Sequence, residues 1–341
     1  MKEALLWKPE EGKARCGLCS HSCLIPEGKR GLCGVRQTQD GKLQSLTYGR
    51  VIAMHPDPIE KKPLYHFLPG TSSMSIATEG CNFSCKFCQN ADISQGPRET
   101  GNIRGREVGP EDVVESAKEE GCKSIAYTYT EPTVFFEFAQ DTGLLAKKEG
   151  LFNVFVTNGF MTKECLKMAK PWLDAANVDL KAFTDEFYRE LCGARLEPVL
   201  ENLKWLVKNK IWTEVTTLLI PGKNDSNEEL KQISEFIAQE LGKEVPWHVS
   251  AFHPCYRMTG GQPTPPERLL RAYEVGKDAG LDYIYIGNMD IGKGSDTQCP
   301  ECGEELIKRR AFSVYSNNIT NNKCPKCGHG ISGVYDECEK N

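Results

Sequence analysis

Cys81, Cys85 and Cys88 lie in the run Glu79-Gly80-Cys81-Asn82-Phe83-Ser84-Cys85-Lys86-Phe87-Cys88. A fully ligated [4Fe–4S] cube takes four cysteine thiolates. This CxxxCxxC loop supplies three, which leaves one iron open to a ligand that is not protein. Phe83 and Phe87 alternate with the cysteines and would shield a cluster from water. The bland alternative is three unrelated thiols. It is outweighed because further cysteine groups flank the loop on both sides in the sequence.

The C-terminal group is Cys299-Pro300-Glu301-Cys302-Gly303 and Cys324-Pro325-Lys326-Cys327-Gly328. Two such knuckles about twenty residues apart have the spacing of a zinc ribbon, with a rubredoxin-like iron as the alternative. His329 is a spare ligand that reads as solvent-facing. The N-terminal group is Cys16, Cys19, Cys23 and Cys33. Four thiolates suit zinc or a second [4Fe–4S] cluster. The surrounding glycines (Gly17, Gly28, Gly31, Gly34) and the small size of the segment favour zinc. Cys122, Cys165, Cys192, Cys255 and Cys338 are isolated. Cys192, beside Gly193-Ala194-Arg195, and Cys255, close to His253, are the two with a candidate catalytic role. Ordinary packing is the weightier reading of both.

These thiols need a scaffold. The 341 residues suffice for one large domain with small appendages, and 39% hydrophobic and 26% charged residues are ordinary for a globular enzyme. No apolar run reaches the length of a membrane span, and the N-terminus lacks the apolar stretch of a signal peptide. A cytoplasmic protein is expected. Sixteen cysteines then argue for metal and redox chemistry in a reducing setting rather than for disulfides. The net charge of −5 disfavours a large nucleic-acid surface. Lys61-Lys62 and Lys308-Arg309-Arg310 read as solvated surface.

Between the flanking cysteine groups, strand and helix patterns alternate. Strands are expected at 73–78, 124–130, 153–158, 177–182, 214–220, 247–252 and 283–287. Helices are expected at 110–120, 134–148, 163–170, 196–208, 227–241 and 266–279. This alternation implies a parallel sheet with crossover helices, an α/β fold of partial (β/α) barrel type. Periodicity alone does not separate it from an open doubly wound sheet. Residues 38–70 suggest a strand pair, then a proline-rich extended connector over 54–63. The expected division is 1–70, a Cys-rich segment and lead-in; 71–292, the barrel; and 293–341, a ribbon-like domain. The strand at 73–78 runs straight into the CxxxCxxC loop, so the cluster would sit at a strand's C-terminal end, where such folds place their chemistry.

CxxxCxxC after a strand resembles the signature of the radical S-adenosylmethionine (radical SAM) enzymes. The resemblance implies that the open iron chelates the amino and carboxylate groups of SAM. Reductive cleavage then gives methionine and a 5′-deoxyadenosyl radical that abstracts hydrogen from a small-molecule or protein substrate. It also implies an electron donor such as flavodoxin or ferredoxin. The strand ends are similar to those of the activating enzymes of glycyl radical enzymes. By that likeness Glu131, Thr157, Asn158, Asp179, Lys181 and His253 hold SAM. Tyr129 and Thr130 stand where activases have two glycines, Val156 where they have Asp, and Thr216 where they have Arg. Glycyl radical generation is therefore the runner-up activity. A closer resemblance covers nearly the whole chain. It rests on Arg15-Cys16…Cys19…His21-Ser22-Cys23, Gly31-Leu32-Cys33-Gly34-Val35-Arg36, Tyr65-His66-Phe67-Leu68-Pro69-Gly70, Tyr129-Thr130-Glu131-Pro132 and Cys192-Gly193-Ala194-Arg195. These look like the AmmeMemoRadiSam-system radical SAM enzymes, which implies Memo-type and AMMECR-type partner proteins. From a different class, an electron-transfer or scaffold protein would need a fourth ligand for the middle cluster, such as Cys122 or Cys255.

Overall fold

A computed structural model describes residues 1–335. Cys338 lies outside the described residues. The centre of the molecule is a sheet built from β1 (Arg50–Pro58), β2 (Ser72–Thr78), β3 (Arg106–Glu107), β4 (Ser124–Tyr127), β5 (Phe152–Thr157), β6 (Ala175–Asp179), β7 (Trp212–Leu219), β8 (Trp247–Ala251) and β9 (Ile284–Gly287). Their spatial order is β9-β8-β7-β6-β5-β4-β2-β1-β3. From β2 through β4 to β9 every neighbouring pair is parallel. The sheet does not close on itself among the described residues. This is the expected partial barrel, and the doubly wound alternative falls because each new parallel strand adds to the same edge.

The crossover helices are α1 (Pro110–Glu119), α2 (Phe136–Lys148), α3 (Lys163–Ala169), α4 (Glu197–Lys208), α5 (Asn227–Phe236) and α6 (Pro266–Asp278). Local chemistry sets their starts. Thr162 accepts from the Cys165 amide at 3.2 Å, and Ser226 from the Glu229 amide at 3.2 Å. Packing sets their approach. Trp172 is fully buried against Tyr127, Phe136 and Phe155. A Cβ at Gly143 in α2 would stand 2.3 Å from its ring, so α2 reaches the sheet only with glycine there.

The proline-rich stretch departs from the expected connector. Met54, His55, Pro56 and Pro58 belong to β1, which runs antiparallel to β2 with Pro56 opposite Met74. On its other side β3 pairs only with Arg50 and Val51. The prolines therefore sit on an open edge, where a missing amide costs no ladder bond. The basic spots also differ from a purely solvated surface. Lys62 and Arg309 are buried, Lys62 on Asp57 at 2.8 Å and Arg309 donating to the Tyr65 carbonyl at 2.7 Å.

Two small three-stranded sheets, one containing Lys13–Cys16 and the other Arg36–Gln39, make up the N-terminal region. They dock on the barrel through the buried Arg36–Glu137 pair and through Thr162 Oγ1, which donates to the Gly17 carbonyl at 2.7 Å. A third small sheet, Thr297–Gln298, Glu305–Arg310 and Ser313–Asn317, carries the C-terminal cysteines.

Candidate active site

β2 is buried from Ser73 onward and delivers the loop from Glu79 directly to the C-terminal edge of the sheet. Two main-chain bonds hold the loop: Ser84 N donates to Cys192 O at 2.8 Å, and Lys86 N to Leu191 O at 2.9 Å. Gly193, with φ 67°, fits under Ser84, where a Cβ would come within 2.4 Å of the Ser84 hydroxyl. Arg98 adds a guanidinium bond to the Phe83 carbonyl at 2.9 Å.

Cys81, Cys85 and Cys88 all line one cavity of about 320 Å³. The polar ends of successive strands face them across it. Glu131, fully buried, accepts from Thr157 Oγ1 at 2.7 Å, from the Asn158 amide at 2.8 Å and from Thr133. Burial raises its carboxyl, and these donors partly offset that. Asn158 Nδ2 donates to Asn82 Oδ1 at 2.7 Å and lies 3.9 Å from the Cys81 sulfur. Lys181 pairs with Asp179 at 2.8 Å. Burial works against its ammonium, but Asp179 and the neighbouring thiols Cys85 and Cys192 more than offset this and hold it charged. Thr216 also lines the cavity and donates to Asn177 at 2.9 Å.

Of the expected SAM-binding residues, Glu131, Thr157, Asn158, Asp179 and Lys181 line the cavity. His253 does not. Its ring is exposed and stands 3.3 Å from the Asn288 carbonyl, while Ser250 and Asn288 line the wall instead. Cys192 is fully buried behind the loop rather than facing the mouth. Its hydrogen bond to Cys85, together with burial, pushes the Cys85 thiol well up. Cys255, half-buried, packs against the loop beside Cys88, its sulfur 3.3 Å from the Phe87 carbonyl. Cys122 precedes β4 and so lies at the opposite end of the strands from Cys88.

One part of the wall carried no readable signal in the sequence. Lys62, Asp57 and Tyr129 meet there, with Lys62 bonded to Asp57 and Tyr129 donating to the same carboxylate. Burial lowers the Lys62 ammonium to about 8 despite Asp57. Tyr129 has φ 63°, a left-handed conformation that costs a side-chain-bearing residue and clusters at functional sites. It also ends the fourth strand three residues before the expected 130, by turning the chain toward Glu131. A larger hollow of about 760 Å³, lined by Phe67, Phe152 and Trp212, lies at the other end of the strands and holds none of these groups.

At the chain's C-terminal end, Cys299 and Cys327 sulfurs lie 3.6 Å apart and Cys302 and Cys324 sulfurs 3.7 Å apart. All four fall within 4.8 Å of one another, a four-thiolate set for one metal ion.

Residues 75–237, which span β2 to the end of α5 and include the cysteine loop, match the Radical SAM superfamily. Over those residues the chain carries a radical SAM domain. As a radical SAM enzyme it takes a [4Fe–4S] cluster and SAM, and needs a substrate and an electron donor. The wall fits that demand: three thiols converge on one cavity, with the charged Asp179–Lys181 pair and Asn158 facing them. An uncharacterized protein of Methanocaldococcus jannaschii is 46% identical over 337 residues, covering 98% of this chain and all of that one. The pyruvate formate-lyase 1-activating enzyme of Escherichia coli K12 is 24% identical over 216 residues, covering 57% of this chain and 83% of that enzyme. Among solved structures, Streptococcus suis SuiB bound to S-adenosylmethionine aligns with a TM-score of 0.50 at 14% identity. That match covers 68% of this chain and 53% of that one, a likeness of fold.

Proposed function

We propose that this radical SAM protein is an oxidoreductase-type enzyme of the AmmeMemoRadiSam system, acting on a small-molecule or protein substrate. Cys81, Cys85 and Cys88 are assigned to the [4Fe–4S] cluster. The observation that carries the reading is the meeting of these three thiols with Asn158, Asp179 and Lys181 on one cavity wall. When bound and reduced, the cluster supplies the electron that cleaves SAM to methionine and the 5′-deoxyadenosyl radical, which takes hydrogen from the substrate. The chain's own residues bind and orient. Lys181, held charged by Asp179, faces the SAM carboxylate. Glu131 braces the ends of β4 and β5 and presents Asn158 to the cysteine loop. Phe83 and Phe87 keep water from the thiols. Lys62 and Tyr129 form the wall left over for substrate.

The electron comes from a flavodoxin- or ferredoxin-type donor, and the Memo-type and AMMECR-type proteins are the proposed partners. Zinc is assigned to Cys299, Cys302, Cys324 and Cys327, from sulfur separations that match a tetrahedral ion. The proposed domains divide near 70 and 292, with β1 of the lead-in joined to the barrel sheet. The likeness to the E. coli activating enzyme supports a second reading, activation of a glycyl radical enzyme, against which Tyr129, Val156 and Thr216 stand. Cys85→Ala tests the main reading: 5′-deoxyadenosine production is expected to vanish, and normal SAM cleavage by that variant would end it. Deuterium carried into 5′-deoxyadenosine from labelled extract would report whose hydrogen is taken.

A further inference from the structure

Four cysteines outside this cavity line a second one. Cys16, Cys19, Cys23 and Cys33 all face it, and Asn82 forms part of its wall. Local pairing brings them together: the Cys16 amide donates to the Cys23 carbonyl at 2.9 Å, and a turn closed by Gly34 N to Gly31 O at 2.9 Å swings Cys33 in.

Sulfur spacing separates the two metals that the sequence left open. Zinc–sulfur bonds of about 2.3 Å bring the four sulfurs of a tetrahedral site to roughly 3.8 Å from one another. The C-terminal group has that geometry. Among the described residues, no three of the N-terminal thiols gather within 4.8 Å of one another, and neither do Cys81, Cys85 and Cys88. A cube, with an iron between each cysteine sulfur and its centre, holds its cysteine sulfurs farther apart than a single ion does. The N-terminal thiols line one cavity without closing to zinc spacing, as the CxxxCxxC thiols do and the ribbon thiols do not.

Arg36 is an independent observation. It is 1% exposed and lines the same cavity. Its Nη2 is held by Glu137, while Nε and Nη1, like Asn82 Nδ2, are buried without a partner. Each such donor is destabilising unless something accepts from it. The sulfurs of an anionic cluster are acceptors of the right charge.

We propose that Cys16, Cys19, Cys23 and Cys33 hold a second [4Fe–4S] cluster, and that it passes single electrons to the CxxxCxxC site. The relay rests on the radical SAM reading; the cluster does not. Its placement is that of a relay. Leu32 on the outer wall is 58% exposed, and Asn82 on the inner wall is bonded in sequence to Cys81. One electron leaves a ferredoxin- or flavodoxin-class donor, enters here and is gained by the neighbouring cluster, with no bond made or broken.

Metal content decides the first half. The full chain reconstituted anaerobically is expected to carry about eight iron and one zinc, whereas about four iron and two zinc would overturn the second cluster. The Cys81→Ala/Cys85→Ala/Cys88→Ala chain is expected to keep about four iron and a reduced-cluster EPR signal unmoved by SAM; a folded variant with no iron would also overturn it. Failure of the radical SAM reading shows separately, as a full chain whose EPR spectrum SAM leaves unchanged. For the relay, reduction of the CxxxCxxC cluster is followed by EPR in a Cys23→Ser/Cys33→Ser chain. Reduction by flavodoxin is expected to slow at least about tenfold while reduction by dithionite holds. Equal flavodoxin rates would overturn the relay.

Discussion

The side chains of Asn158 and Asn82 meet head-on, Nδ2 of the first donating to Oδ1 of the second at 2.7 Å. Asn158 follows the last residue of β5, and Asn82 follows Cys81. One bond therefore ties the tip of the barrel to the cluster loop and fixes the distance between the thiols and the residues assigned to SAM.

Replacing Asn158 by Ala removes this tie and leaves Asn82 without its acceptor's partner. Leaving a buried acceptor unpaired costs about 1–3 kcal/mol. SAM affinity is expected to fall about tenfold or more, read by SAM titration of the cluster EPR signal, with the iron content of the chain unchanged.

Lys181 and Asp179 form the largely buried ion pair of the wall. Lys181→Gln leaves Asp179, whose side chain is 35% exposed, partly solvated, so the stability cost is discounted to about 1–2 kcal/mol. The larger expected effect is on SAM, a loss of at least about tenfold in affinity by equilibrium dialysis, because a carboxylate then meets no cation.

Cys192 is buried against Cys85 and does not line the cavity of Cys81, Cys85 and Cys88. Cys192→Ala is expected to cost about 1–2 kcal/mol in unfolding free energy through the lost sulfur contacts. SAM cleavage should stay within a few-fold of the parent. Loss of product formation with 5′-deoxyadenosine production intact would instead give Cys192 a direct role in the chemistry.

His66 joins the barrel to the C-terminal sheet, its Nε2 2.6 Å from the Tyr285 hydroxyl and its Nδ1 2.8 Å from the Ser332 carbonyl. Burial lowers its pKa to about 4, below the ordinary value of 6.5. Between those values the unfolded chain binds more protons, so stability rises with pH there and is lost as pH falls from about 6.5 toward about 4. The full shift corresponds to about 3 kcal/mol. In denaturant titrations over that window, His66→Gln is expected to flatten the slope against pH relative to the parent.

The ribbon cysteines hold three short strands whose own core is small: Leu306, Ile307 and Ile331 with Tyr65, Tyr283 and Tyr285 of the barrel. Removing the metal with a strong chelator is expected to expose residues 295–335 to limited proteolysis while the barrel stays protected. Metal binding at such a site contributes folding energy directly.

The strand–helix alternation was legible because each unit carries its own period and its own stop signals. Ser226 and Thr162 cap where an N-cap belongs, and the parallel strands fall on the expected runs. The cysteine loop was legible because three ligands lie within eight residues. Residues joined only by folding gave no such signal. Asp57, Lys62 and Tyr129 are brought together by β1, by the turn after it and by a left-handed residue following β4. Pro56 and Pro58 read as a connector because a sequence does not reveal which strand will have an empty neighbour. Lys62 and Arg309 read as surface because a run of basic residues does not reveal which member points inward.

Taken alone, the sequence determined that a CxxxCxxC loop follows a buried strand in a series of parallel strand–helix units. Those features depend on contacts a few residues apart. Only the tertiary structure decided which strand-end groups share the cavity with Cys81, Cys85 and Cys88. It admits Asn158 and Lys181 and leaves His253 outside, because a side chain's distance from the loop is set by sheet curvature and loop packing over the whole barrel. It likewise closed the four C-terminal sulfurs to within 4.8 Å of one another and did not so close the N-terminal ones, a difference that two similar cysteine patterns do not carry.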